Sequence, residues 1–441
     1  MTTADADTRE SPAEVPPAPP GRISRRDVVK GSVATAILSL SASTVLNLRK
    51  PDPLRVMLGD DNTGAFKFLF ASWSRRSGID VVYEPAGSHA PEQREKMVKW
   101  TDVTDDRDYV ADLFGLDVVH VPEFIENKHI VKMDKDLIAA ANRSRGAGEP
   151  LRFDRFIGPA LTTCRNPGDS SDTHYAVPLT ANVGVLFRNA SSTPGSDIAT
   201  LRQLNTDKVL TWTAQFPERI PLELDGNGSE AMMCNLFEHA SAFDDGIIEP
   251  DGRPHADHER WNRLFGGLRA LAAEGRLKRA LDEEGSAETF NTLGADFMRN
   301  WPSSRTSANT TPVPAEMIPF QGATIGGQNL ALNKKSKRHV DALRLVNFLT
   351  GEEAQKILAL HGYLPTYSPL YDPRSAVETI LPHLPIIKRA LSGGRHRPRI
   401  PRYSEFSAKV SDDAVKALAP ERPMAITRDH VETWRSYFPT R

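Results

Sequence analysis

The sequence is short of cysteine, of net charge and of uninterrupted apolar runs, and each shortage removes a class of protein. Cys164 and Cys234 are the only cysteines, and neither stands in a C-x-x-C pair, so thiols alone cannot build a metal site. A formal net charge of −2 leaves no electrostatic footprint for nucleic acid or an anionic membrane surface. The basic clusters Lys334–Arg338 and Arg395–Arg402 are short and read as solvated faces. No P-loop, G-x-S-x-G or H-E-x-x-H occurs, and neither does an internal repeat or a heptad run. The weakly apolar stretch Gly31–Leu48 contains Ser32, Thr35, Ser39, Ser41, Ser43 and Thr44, which makes it a poor permanent membrane span.

What is there points to two domains behind a tail. A chain of 441 residues is too long for one ordinary core, and 39% apolar with 25% charged residues is an ordinary globular composition. Met1–Gly21 is rich in Pro, Ala and acidic residues and reads as disordered. Ser24-Arg25-Arg26-Asp27-Val28-Val29-Lys30 follows, ahead of the weakly apolar stretch, and together they resemble a twin-arginine export signal. That resemblance implies passage out of the cytoplasm as a folded protein. No cysteine lies near the end of the apolar stretch, so a lipid anchor there is excluded; an uncleaved signal acting as a tether stays open. In an exported chain Cys164 and Cys234 allow one disulfide, closing a loop of about 70 residues; in a cytosolic one they read as buried thiols.

Beyond Pro53 the pattern alternates strand and helix. Leu54–Leu58 reads as a first strand, Gly64–Arg76 as a helix and Ile79–Tyr83 as a second strand, the start of a doubly wound α/β lobe. Ligands bind outside the carboxyl ends of such strands, which makes Asp60, Asp61 and Asn62 candidates; helix capping is the competing role. Val118–Val121 reads as a buried strand. Tyr175–Arg188 is an apolar run broken by Pro178, as expected where the chain crosses between lobes. Helices are expected at Glu230–Ala240, Glu259–Ala280 and Asp413–Leu418. Gly322–Tyr371 is one unit: a strand ending in Gly326-Gly327-Gln328-Asn329-Leu330-Ala331-Leu332, then a helix with Val340, Leu343, Val346 and Leu349 at helical spacing. Thr350-Gly351 breaks it, a second helix runs to Gly362, and Tyr363-Leu364-Pro365-Thr366 is the exit.

These blocks resemble the family 1 extracellular solute-binding proteins, the sugar-receptor group of ABC importers. The resemblance is carried by Asp112–Phe124, by Tyr175-Ala176-Val177-Pro178, by Ser229–Glu238, by Met298-Arg299-Asn300-Trp301-Pro302, by Gly326–Ala331 and by Arg399–Phe406. It implies an α/β, two-lobed periplasmic-binding-protein fold of type II, with a hinge crossed three times. The expected lobes are 53–178 with 327–365, and 179–326 with 366–441, behind a tail and signal over 1–52. It further implies a ligand site formed by Asp117, Glu230 and Trp301, with Arg299 as a further donor and His120, Gly327 and Gln328 in the matched blocks, beside Asp61 at the strand edge, and it favours the Cys164–Cys234 disulfide. His120, Gln328, Ser229 and Ser303 stand where the family usually has aromatic residues, so much of the usual sugar-stacking bed is missing unless Trp212 or Tyr109 replaces it.

The expected function is a non-catalytic extracytoplasmic receptor that closes on a small polar solute, with membrane permease subunits as partners and no cofactor, metal or nucleic acid. A binding-protein-like sensor or scaffold with an altered site is the alternative. A carbohydrate-active hydrolase would need paired carboxylates; Asp60 with Asp61, Asp105 with Asp106, Asp244 with Asp245 and Glu283 with Glu284 are adjacent in sequence, and adjacent residues rarely aim at one substrate atom.

Overall fold

The computed structural model describes residues 51–101, 111–143, 149–189, 220–222, 230–242, 247–275, 277–280, 282–292, 295, 297–306, 315–320, 322–373 and 375–440. The tail and the export-signal stretch, Tyr109, Trp212, Ser229 and the pairs Asp105/Asp106 and Asp244/Asp245 lie outside the described residues.

In chain order the elements begin with β1 (Leu54–Leu58), α1 (Ala65–Ser77), β2 (Val81–Pro85), α2 (Ala90–Thr101), β3 (Leu113–Asp117), α3 (Val121–Glu126), α4 (Lys135–Arg143) and α5 (Gly158–Thr162). They continue through β4 (Ala176–Val183), β5 (Val185–Asn189), β6 (Ile220–Leu222), α6 (Glu230–Ala242), α7 (His258–Ala273), β7 (Leu277–Arg279), α8 (Glu283–Thr292), β8 (Phe297–Asn300) and β9 (Ala315–Ile318). The last part carries β10 (Thr324–Leu332), α9 (His339–Thr350), α10 (Glu352–Leu360), β11 (Leu364–Pro365), α11 (Ala376–Ile380), α12 (Leu384–Gly393), β12 (Arg395–His396), α13 (Tyr403–Ala417) and α14 (Arg428–Arg435).

The larger sheet runs β11-β4-β10-β3-β1-β2, with β12 beside the start of β10. Strand β1 pairs in parallel with β2 and β3, as strand–helix–strand units require, while β10 enters antiparallel between β3 and β4. Side-chain alternation sorts the two faces. Leu54, Val56 and Leu58 pack with Phe66, Leu69 and Trp73 of α1 and Leu343, Val346 and Leu349 of α9. Met57, Phe114 and Leu116 turn the other way, against Phe124 of α3. A smaller antiparallel sheet, β8-β5-β9, buries Phe187, Phe297 and Met298 against Leu384, Ile387 and Leu391 of α12. Helices α6, α7, α13 and α14 make a fourth cluster around Trp261 and Trp434.

The chain passes between the larger and the smaller antiparallel sheet twice, from β4 to β5 and from β9 to β10; after β11 it crosses a third time as helix, with Leu384, Ile387 and Leu391 of α12 packing on the smaller sheet. The strand containing Pro178 continues to Val183, and the change of sheet falls at Gly184. Proline is tolerated within β4 because the β4–β10 register shifts between Gln328 and Asn329, opposite Pro178.

Three expected elements differ. The strand expected over Val118–Val121 is β3, over Leu113–Asp117: the Asp117 carboxylate accepts from the Val119 N–H at 3.1 Å and turns the chain into α3. The helix expected to reach Ala280 ends at Ala273, where the Gly275 N–H bonds to the Ala272 carbonyl, and Leu277 begins β7. The helix expected to start at Asp413 begins ten residues or so earlier, at Tyr403.

Trp434 is fully buried, meets Trp261 edge-on at a centroid distance of 5.1 Å and donates its Nε1–H to Asp413 at 2.8 Å. Trp434→Ala is expected to lower unfolding stability by about 3–5 kcal/mol. Urea unfolding of the two proteins checks this; a loss below about 1 kcal/mol would mean that the helical cluster does not depend on this contact.

Candidate functional site

A cleft of about 740 Å³ opens at the carboxyl ends of β1 and β3. Its walls come from separate elements: Gly59, Asp60, Asn62 and Thr63 after β1, Ser88 and Gln93 before and on α2, Asp117 ending β3, and Thr180–Asn182 on β4. Gly327 and Gln328 on β10, His361–Leu364 after α10, Glu284 on α8, and Ser303 and Ser304 complete it, with Phe66 behind. Phe66 and Tyr363 lie 5.1 Å apart and form the aromatic part of the wall. Hydroxyls, amides and carboxylates make up most of the other side chains, with Ala181, His361 and Leu364 among them.

Local geometry explains why these groups face the opening. Gly327 sits at the register shift of β10 with φ +126°, and a Cβ there would lie 2.2 Å from the Thr180 carbonyl oxygen. The close approach lets the Gln328 N–H bond to Thr180 Oγ1 at 3.2 Å, while the Gln328 side chain donates to Gln93 Oε1 at 3.3 Å. Gln93 in turn donates to the Gly87 carbonyl at 2.9 Å. Asp60 accepts from Ser88 Oγ at 2.9 Å.

Of the residues expected at the site, Asp117, Gly327 and Gln328 line this cleft. Asp61 does not: it accepts from the Lys67 N–H at 2.9 Å and caps α1, and its neighbour Asp60 takes the cleft position. His120 is buried at the start of α3 beside Ser404, and burial lowers the pKa of its ring. Glu230 is engaged inside the protein by Arg397 and by the Tyr403 hydroxyl. Arg299 pairs with Glu238 through two bonds of 2.8 and 2.6 Å. Trp301 stacks on the Arg299 guanidinium at 4.3 Å and donates to Glu283 at 3.1 Å. Asp117 and Glu230 are thus brought together, with Arg397 between them, whereas Trp301 belongs to a second network.

Arg397 is the residue between two of the expected site positions that sequence reasoning missed. Its side chain is 2% exposed and reaches Asp117 at 3.3 Å as well as Glu230. Burial works against its charge, but neighbouring groups, Asp117 and Glu230 among them, hold its pKa well above the ordinary value. Burial pushes the Glu230 carboxyl up, with Arg397 opposing. The Arg395–Arg402 cluster is therefore not simply a solvated face. Arg399 is also withdrawn, lowered to about 10 by burial and by Arg165, while Arg402 stays exposed and pairs with Glu405. The signal available in sequence was the position of Arg397 just ahead of the matched Arg399–Phe406 block.

The expected Cys164–Cys234 disulfide is not formed. Cys164 donates weakly to the Ala160 carbonyl at 3.8 Å and packs with Phe114 and Phe124, while Cys234 lies within α6. Both thiols are free and buried, and burial pushes both pKa values up.

A family model described as "Bacterial extracellular solute-binding protein" matches residues 78–378. A "Probable ABC transporter-binding protein" of Deinococcus radiodurans is 24% identical over 330 residues, covering 70% of this chain and 74% of its own. Among solved structures, maltose-bound MalE3 of T. maritima superposes with a TM-score of 0.68 at 18% identity, covering 87% of this chain and 98% of its own. UgpB from Mycobacterium tuberculosis with glycerophosphocholine gives 0.67 at 15% identity, covering 87% and 96%. A solute-binding protein from Thermotoga lettingae bound with α-D-tagatose gives 0.65 at 15% identity, covering 88% and 99%. At such identities the likeness shows the fold, which is the two-lobed α/β architecture of periplasmic binding proteins.

Two outcomes follow from the buried charges. Arg397→Met leaves Glu230 buried without its cation and is expected to lower stability by about 3 kcal/mol at neutral pH. A melt unchanged from that of the parent protein would show that the tie contributes nothing. His239, on α6, is lowered to about 4 by burial and by Arg299. The unfolded chain therefore binds a proton near pH 6.5 that the folded chain refuses, so stability falls as pH drops from about 6.5 toward 4. His239→Phe should flatten that fall by up to about 3 kcal/mol, measured by urea unfolding at a series of pH values; an equally steep profile in both proteins would exclude His239 as its source.

Proposed function

Because this chain belongs to the bacterial extracellular solute-binding protein family, whose model spans well over half of it, we propose that it is the receptor component of an ABC importer. In this reading the cleft holds a small polar solute of the carbohydrate type, and the lobes close over it by bending at the three crossings. On that reading the lobes are 53–178 with 327–365 and 179–326 with 366–441. Permease subunits in the membrane are the partners, and the twin-arginine-like stretch is the route out, by cleavage or as a tether. The protein does no chemistry of its own.

The single observation that carries this reading is the composition of the cleft. Hydroxyl and amide groups converge from β1, β4 and β10, and the Phe66–Tyr363 pair offers an apolar face. A polyol or sugar presents hydroxyls around a C–H face and matches both features. MalE3 and the T. lettingae protein were seen with maltose and tagatose, in line with that chemistry.

A second reading, a sensor or scaffold with an altered site, is favoured by one feature. Asp117 and Glu230 are already engaged by Arg397, so the carboxylates that the family resemblance assigns to sugar are answered from within.

Thermal unfolding of the purified full chain with maltose, tagatose, ribitol and glycerophosphocholine separates the two. A solute at a hundred times its dissociation constant should add about 2.7 kcal/mol of stability, and Gln328→Ala should shrink that response. No shift with any of these, in protein that melts cooperatively, would favour the sensor reading. A shift untouched by Gln328→Ala would remove the cleft as the site.

A further inference from the structure

The principal cleft carries charge of one sign. Among the described residues of its wall stand three carboxylates, Asp60, Asp117 and Glu284, and no lysine or arginine; His361 is the basic side chain there. Asp117 is answered by the buried Arg397 at 3.3 Å. The other two are not. Asp60 is half-buried and accepts from the Ser88 hydroxyl at 2.9 Å, a neutral partner, and its backbone N–H is fixed on the Gly87 carbonyl at 3.1 Å. Glu284 is exposed in the first turn of α8, where the positive end of the helix favours its ionised form. Neither forms an ion pair among the described residues.

The two free carboxylates come from opposite sides of the crossings. Asp60 follows β1 of the larger sheet, whereas Ala287 and Phe290 hold α8 in the core of the smaller sheet. Among the described residues no three His, Cys, Asp or Glu side chains lie together as a metal site needs, so the two charges suit an extended organic cation better than a bare ion. Around them are the hydroxyls and amides of Thr63, Ser88, Asn182 and Gln328, which are partners for a polyol and not for a plain amine.

We propose that the solute of this cleft is a cationic sugar: an amino sugar whose hydroxyls meet the neutral wall and whose ammonium lies between Asp60 and Glu284. This rests on the receptor reading above and narrows it by charge. The neutral groups hold the ring, and the free carboxylates sort solutes by sign. A phosphorylated or acidic sugar meets two uncompensated negative charges, and a neutral one leaves them facing each other. Closing the lobes brings Asp60 toward Glu284, so their repulsion opposes closure of the empty cleft. An ammonium between them replaces that repulsion with two attractions.

The test is isothermal titration of the full chain at about pH 7, where an amino sugar is largely a cation. D-Glucosamine is compared with D-glucose, D-galactosamine with D-galactose, and glucose 6-phosphate serves as the anion. Each amino sugar should bind on the order of tenfold more tightly than its neutral parent, glucose 6-phosphate more weakly than glucose, and added salt should shrink the difference. Asp60→Asn and Glu284→Gln should each reduce the ratio between amino sugar and parent by about threefold, and the double variant should abolish it. Both are isosteric changes away from the core, and a cooperative melt checks that they fold. Gln328→Ala should weaken both members of a pair alike. Equal binding within the pairs, a preference that survives the double variant, or tighter binding of glucose 6-phosphate overturns the proposal and leaves the receptor reading standing. So does the failure of both amino sugars to bind while maltose or tagatose does. Absence of heat with every one of these sugars overturns the proposal together with the receptor reading.

Discussion

The structure depends on an ion pair buried where the chain changes sheets. Glu238 of α6 receives both bonds from Arg299 of β8 and, through Oε1, the backbone N–H of Thr324, the first residue of β10. Gly184, where β4 gives way to β5, lies directly beneath: a Cβ there would come within 2.5 Å of Glu238 and 2.7 Å of Arg299. The Gly184 N–H bonds to the Thr324 carbonyl at 3.0 Å. Two of the three crossings are therefore fastened to each other and to one desolvated charge pair. Such a pair adds little net stability, because removing both ions from water offsets most of their attraction. It does penalise every arrangement that separates the partners. On the proposed reading, bending at the crossings has to leave this knot intact.

Arg397 does a related job at a different place. It draws Asp117, at the end of a strand in the larger sheet, toward Glu230, at the start of a helix in the helical cluster. Tyr403 closes over the same carboxylate. Val118 and Val119, next to Asp117, pack among Met232, Phe237 and Trp261, so the tie runs through apolar surroundings that strengthen it. The two carboxylates cannot be released for a ligand without stranding a guanidinium. That makes Asp117 a partly committed wall of the cleft, and it shifts the burden of recognition onto the neutral groups opposite.

Much of this architecture was legible in the chain, and the failures have physical reasons. The alternation around β1, α1 and β2 and the strand–helix–helix order from β10 to β11 follow from side-chain period alone, and Leu343, Val346 and Leu349 are buried as expected, whereas Val340, at the start of its helix, is exposed. The family resemblance led to Asp117, Gly327 and Gln328, all of which reach the cleft. Glu230, Arg299 and Trp301 do not line it, because a motif specifies a position in the fold and not what a neighbouring side chain does there. Arg397 was hidden for that reason: in sequence it is one basic residue among several, and only tertiary packing separates it from exposed Arg395 and Arg402. The strand misplaced onto Val118–Val121 shows the other limit. Those valines are buried as expected, but in a turn governed by Asp117 rather than in a ladder.

The division between locked charges and exchangeable neutral groups bears on how the cleft binds. Charged pairs such as Arg299–Glu238 are short, doubly bonded and dry; a ligand competing for them would have to replace the full desolvation of an ion. The amide contact between Gln93 and Gln328 is 3.3 Å long, between neutral groups, and open to the cleft. Exchanging it for bonds to a hydroxyl changes the number of hydrogen bonds little, so the energetic difference between empty and filled states stays small. Rigid backbone placement supplies the remaining requirement. Gly327, pressed onto the Thr180 carbonyl, keeps β10 too close to β4 for Gln328 to withdraw. The amide can change partners without changing position, and a receptor that must both capture and release its solute needs that combination.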